Sequence, residues 1–120
     1  MEYQAFIDNQ QTVVETIPGS SVLKSEADAL ELVAACGEYL AERLLIYAEN
    51  LDEDFYDLST GLAGAVLLKF STYRLKVAAV IPPERIGSGR FAEFINETNR
   101  GNQFRIFNQR EQALEWLSGL

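Results

Sequence analysis

Histidine is absent from this 120-residue chain, and cysteine occurs once, at Cys36. Without imidazole there is no Ser-His-Asp or Cys-His nucleophile system and no zinc site built on histidine. A single thiol removes internal disulfides and soft-metal sites as well. The small neighbours Ala34, Ala35 and Gly37 mark Cys36 as a packed residue rather than a reactive one. Bases are scarce: ten Lys and Arg against eighteen Asp and Glu leave a net charge of −8. That balance repels a phosphate backbone and argues against a nucleic-acid partner. No apolar run reaches the roughly 18–20 residues that a membrane helix needs, so no membrane partner is expected. Met1 to Ile7 is mixed and acidic rather than basic and then apolar, so no signal peptide is read there, and a cytoplasmic location is expected.

What is present describes an ordinary globular domain, 48% hydrophobic and 23% charged. Residues 1–120 are read as one domain, long enough to bury a core without disulfides or metals. No cofactor is implied.

The segments Tyr3–Asn9 and Thr12–Ile17 are short, β-branched or aromatic, and separated by polar residues. They read as a hairpin or as two successive strands, the second stopped by Pro18-Gly19. Ser25 is placed to cap a helix, with Asp28 three residues on, and Ala29, Leu30, Leu32, Val33, Cys36 and Leu40 form its apolar face. Leu44–Ala48 and Leu75–Ile81 read as apolar strands covered on both faces, as in a parallel sheet. Between them Glu49–Asp57 is acidic, and Ser59–Thr72 is a helix apolar almost all round and therefore expected to be buried. Pro82-Pro83 ends the later strand, and Glu84–Arg90, with Gly87-Ser88-Gly89, reads as a flexible loop. A helix follows over Arg90–Thr98, closed by Asn99-Arg100-Gly101 with Gly101 in the left-handed conformation. Gln103–Phe107 alternates like a half-exposed edge strand, and Gln109–Leu117 is a final helix. The order β-β-α-β-α-β-α-β-α predicts a single α/β domain whose sheet is mostly parallel, with an N-terminal hairpin.

In such sheets ligands sit beyond the carboxyl ends of the strands. Two loops are expected there, on one edge: Glu49–Thr60 and Pro82–Arg90. In the first, Asp57, Ser59, Thr60 and Gly61 stand at a helix start. The hydroxyls either cap that helix or, near the positive end of its dipole, suit phosphorylation or anion binding. Gly61 and Gly64 permit close backbone approach or helix–sheet packing, and no phosphate-loop pattern is present. The acids Glu49, Asp52, Glu53, Asp54 and Asp57 lack calcium-loop spacing and read as a solvated loop rather than a metal site. In the second loop Arg85, Ser88 and Arg90 form a conceivable anion clamp, the alternative being solvated arginines.

The run Phe55-Tyr56-Asp57-Leu58-Ser59-Thr60-Gly61-Leu62-Ala63-Gly64, with Lys69-Phe70 and Tyr73-Arg74 after it, resembles the signature of an uncharacterised bacterial family, domain of unknown function 4180. Glu93 to Gly101 and Ala113-Leu114-Glu115-Trp116-Leu117 fit it too, so the resemblance covers most of the chain, from Leu44 onward best. Ala65 and Leu68 depart from the family's pattern, which carries polar residues there. The family brings no established activity. In element order the chain is more remotely similar to the STAS domain (sulfate transporter and anti-sigma factor antagonist). That domain's regulatory Ser or Thr lies between the third strand and the second helix, where Ser59 and Thr60 stand here. The STAS form Asp-Ser-Ser-Gly is not reproduced, because Leu58 follows Asp57.

The leading reading is a non-enzymatic regulatory or protein-interaction module with a protein partner, controlled by phosphorylation at the start of the second helix. A small-ligand domain taking an anionic or partly apolar molecule at the two loops is the alternative. An enzyme using acids of Glu49–Asp57 with Ser59 or Tyr56 is a third reading, without a catalytic motif behind it. A homodimer through the Gln103–Phe107 edge is also open.

Overall fold

The polar break between the first two strands is a two-residue turn, with Asn9 at φ 50° and Gln10 at φ 67°. Both central residues are left-handed, which matches the twist of antiparallel strands. In the computed structural model, which describes residues 1–119, the turn joins β1 (Tyr3–Asp8) to β2 (Gln11–Thr16). The chain continues through α1 (Glu26–Glu38), β3 (Arg43–Tyr47), the short helix α2 (Glu53–Tyr56), α3 (Leu62–Thr72) and β4 (Lys76–Val80). Then come the one-turn helix α4 (Pro83–Ile86), α5 (Arg90–Thr98), β5 (Phe104–Phe107) and α6 (Arg110–Ser118).

The sheet runs in chain order, β1-β2-β3-β4-β5, antiparallel at the hairpin and parallel thereafter. Strand alternation sends Val14, Leu44, Ile46, Val77, Ala79 and Ile106 to one face. There they share a core with Ala29, Leu32 and Cys36 of α1, Val66 and Phe70 of α3, and Phe91 and Ile95 of α5. All three crossover helices therefore lie on the same side. The other face presents Val13, Leu45 and Ala78 to α6 alone, through Ala113 and Leu117. This is the expected α/β domain.

Several local expectations are corrected. The first helix ends at Glu38, so Leu40 lies beyond its apolar face. It is 89% exposed and left-handed at φ 54°. The acidic segment is not an open loop: a 3-10 turn (Ala48–Asn50) and α2 form within it. The second long helix begins at Leu62 rather than Ser59 and is buried on one side only. Leu68 is 67% exposed, and a Cβ on the exposed Gly64 would touch nothing, so Gly64 serves no close packing. Glu84–Arg90 is partly helical, and Pro83, whose missing amide costs nothing at a helix start, opens α4. Gly101 does not adopt a left-handed φ, and α5 ends on Asn99 at φ −69°. Lys76 interrupts the apolar strand because the end of α6 needs a donor: its Nζ donates to the Trp116 carbonyl at 2.8 Å. At Arg43 the guanidinium does the same for Leu117.

Candidate functional site

The two loops after β3 and β4 do meet. Arg85, on α4, donates to Glu53 of α2 at 3.0 Å, and its guanidinium lies 4.4 Å from the Tyr56 ring centre. Tyr56 in turn packs on Phe91 of α5 at 5.2 Å, and buried Phe55 packs on Phe91 at 6.1 Å. Burial pushes the Tyr56 hydroxyl up, with Arg85 pulling the other way. These aromatic contacts pin a groove of about 350 Å³ between the loops. Asp57, Ser59, Gly87, Ser88 and Arg90 are among its lining residues, and Tyr56 and Phe91 form its apolar part.

Local turn chemistry accounts for most of the loop's polar groups. Asp52 accepts from the Asp54 amide and so caps α2. Asp57 caps the following 3-10 turn (Leu58–Thr60), with its Oδ1 taking the Ser59 amide at 3.0 Å and the Ser59 hydroxyl at 2.6 Å. Those two bonds, and more weakly the charge of Arg90, hold the Asp57 carboxyl below the usual carboxylate range. Thr60 is tied on both sides: its Oγ1 lies 2.6 Å from the Asp54 carbonyl and 2.8 Å from that of Asp57, and it accepts from the Leu62 amide at 3.2 Å. Gly61, left-handed at φ 78°, then turns the chain into α3, a conformation open to Gly at little cost.

The sequence-derived candidates thus divide. Asp57, Ser59, Ser88 and Arg90 line one groove. Thr60 and Gly61 build the turn behind it. Arg85 is engaged with Glu53 and Tyr56, which separates it from Ser88 and Arg90 as an anion clamp. The Arg90 side chain makes no hydrogen bond or ion pair among the described residues. Beside it α5 starts at Gly89 without a side-chain cap. Among the described residues no three acidic or thiol side chains are placed to hold a metal ion. Cys36 is buried on α1, and burial pushes its thiol up to about 12.

Sequence reasoning missed Asn50. Its side chain is buried, accepts from the Thr16 hydroxyl at 2.8 Å, and donates to the carbonyls of Ile17 at 2.9 Å and Ser21 at 3.1 Å. It therefore holds the loop after β2 against the loop after β3. A polar residue between the apolar Leu44–Ala48 and Leu51 was the available signal. A buried Asn needs partners on several sides, and backbone carbonyls of a neighbouring loop supply them.

Missed too was Glu15, buried where β2 ends. Arg110 at the start of α6 grips it with two nitrogens, at 2.8 and 3.1 Å. The Tyr47 hydroxyl and the Gln4 amide donate to the same carboxylate.

No curated protein and no solved structure matches this chain, so the STAS likeness rests on element order alone. A family model does match, over residues 8–117, taking in both loops, the groove and most of α6. The chain belongs to the family described as Domain of unknown function (DUF4180).

Proposed function

We propose that this domain is a regulatory or protein-interaction module whose working surface is the groove between the two loops, switched by phosphorylation of Ser59. The observation that carries the reading is the position of Ser59. It is exposed on the groove wall that also holds Arg90, whereas neighbouring Thr60 is consumed by its turn. A phosphate on Ser59 would bring nearly two negative charges against Asp57, whose carboxylate now accepts the Ser59 hydroxyl. Repulsion opens that turn, and the phosphate finds compensation from Arg90 and the uncapped amides at the start of α5. The groove then changes both shape and charge, which is what a partner reads. The element order shared with the STAS domain supports the same reading by analogy.

Ser59→Asp and Ser59→Ala chains should both fold and should co-purify with different proteins from the source cells. Identical partner sets would overturn the proposal. A second reading, a small-ligand site, draws support from the pairing of Tyr56 and Phe91 rings with Arg90 around about 350 Å³, near the lower limit for ligand pockets. An anionic aromatic metabolite that raises the melting temperature of the parent chain but not of Arg90→Ala would favour it.

A further inference from the structure

We infer that β1 is a docking edge for an extended, basic segment of a partner protein, which adds to the sheet as a sixth strand. Both sheet edges carry backbone groups, but only the β5 edge is partly closed. At β5 the residues bonded to β4 are Gln103, Arg105 and Phe107, so Phe104 and Ile106 point their amides outward. The Ile106 amide is taken by the Asn99 side chain at 2.9 Å, and Arg105 ties that edge back to the Gly101 carbonyl at 2.7 Å. These bonds occupy part of this edge and count against its pairing with a second copy.

At β1 the ladder bond from the Ile17 amide to the Glu2 carbonyl sets the alternation, so Gln4, Phe6 and Asp8 face β2. Tyr3, Ala5 and Ile7 turn their N–H and C=O groups outward, with no partner among the described residues. The strand has six residues, no proline and no lysine, and Ile7 is 74% exposed. It lacks the devices that close an edge.

Charge selects the occupant. The Tyr3 hydroxyl donates to Glu38, and Tyr3 lines a hollow of about 210 Å³ with Asp28, Glu31 and Leu32. Across residues 1–9 and 24–38 the acids are Glu2, Asp8, Glu26, Asp28, Glu31 and Glu38, and Lys24 is the one base. An added strand would direct alternate side chains toward this acidic flank of α1 and the rest toward Phe6. Alternating basic and apolar residues suit both, and added main-chain bonds supply the affinity. A second copy fits poorly: antiparallel pairing about Ala5 sets Glu2 against Asp8 of the other chain.

The test is amide exchange at Tyr3, Ala5 and Ile7 in the full chain, with a capped heptapeptide alternating lysine and valine. Exchange should slow by about tenfold with this peptide. It should be unchanged with a glutamate-for-lysine version or with an N-methylated form that cannot donate backbone bonds. A Glu31→Lys, Glu38→Lys chain should lose the effect. No slowing, or equal slowing by the glutamate or N-methylated peptide, overturns the inference. So does retention of the effect in the double variant, or slowing that follows protein concentration without peptide, which would identify a second copy.

Discussion

Two residues show opposite local balances of cost and compensation. Leu40 closes α1 in a left-handed conformation, where the Leu40 amide bonds to the Gly37 carbonyl and the Ala41 amide to that of Cys36. Glycine is the usual residue at such a position because a Cβ there is strained. At 89% exposure the leucine side chain gains little packing in return. Leu40→Gly is therefore expected to stabilise the fold by about 0.5–1 kcal/mol, read from the urea midpoint. Asn50 is the opposite case, a buried polar residue that meets its needs fully. Asn50→Ala leaves the Thr16 hydroxyl and two loop carbonyls without their partner. A loss of about 2–3 kcal/mol is expected, with the loop after β2 showing the largest rise in amide exchange.

At the scale of elements, α6 is held to the sheet by an apolar cluster around Ala113 and Leu117 and by polar contacts at both of its ends. Arg110 meets Glu15 at one end, while Lys76, Arg43 and Asn9 donate to its last carbonyls at the other. Burial alone would raise the Glu15 carboxyl, but bonds from Arg110, Tyr47 and Gln4, with the charge of Arg110, outweigh it and hold it below its ordinary range. A carboxylate lowered in the folded state contributes stability that is complete above its unfolded value, about 4.3, and is lost as pH falls through the folded value. The single tryptophan, Trp116, lies on α6, packed on Phe107 at 5.7 Å, and reports the docking. Its fluorescence should stay native at neutral pH and change on acidification below about pH 4. In Glu15→Gln that acid transition should shrink, with about 1–2 kcal/mol of neutral-pH stability lost. The figure is discounted because Arg110 keeps 44% of its side chain exposed.

Apolar period and punctuation carried the elements well: Ser25 caps α1 as expected, and α5 covers the expected Arg90–Thr98. The boundary at Ser59 moved because Asp57 and Thr60 favour a separate 3-10 turn, a local choice that apolar periodicity does not register. The exposure of Leu68 escaped for a related reason. An apolar run shows that a residue can be buried, and only the packing of α3 against one sheet face shows that it is not.

For the whole molecule, a sheet wound in chain order puts all three crossover helices on one face and both long loops at one edge. The common edge of the two loops was legible from strand–helix alternation, whereas the strand order and the shared face of the helices were not. The division of labour inside the loops was not, because it depends on which hydroxyls and guanidinium groups find partners once the chain has folded. Of the two hydroxyls, only Ser59 is left on the groove wall, and the functional proposal stands on that difference.

The most direct test is phosphate mapping on the tryptic peptide Leu44–Lys69, taken from the protein purified out of its own cells across growth states. Phosphate on Ser59 in at least one state, with Thr60 unmodified, is the expected result. A peptide unmodified in every state, or one carrying its phosphate on Thr60, would contradict it.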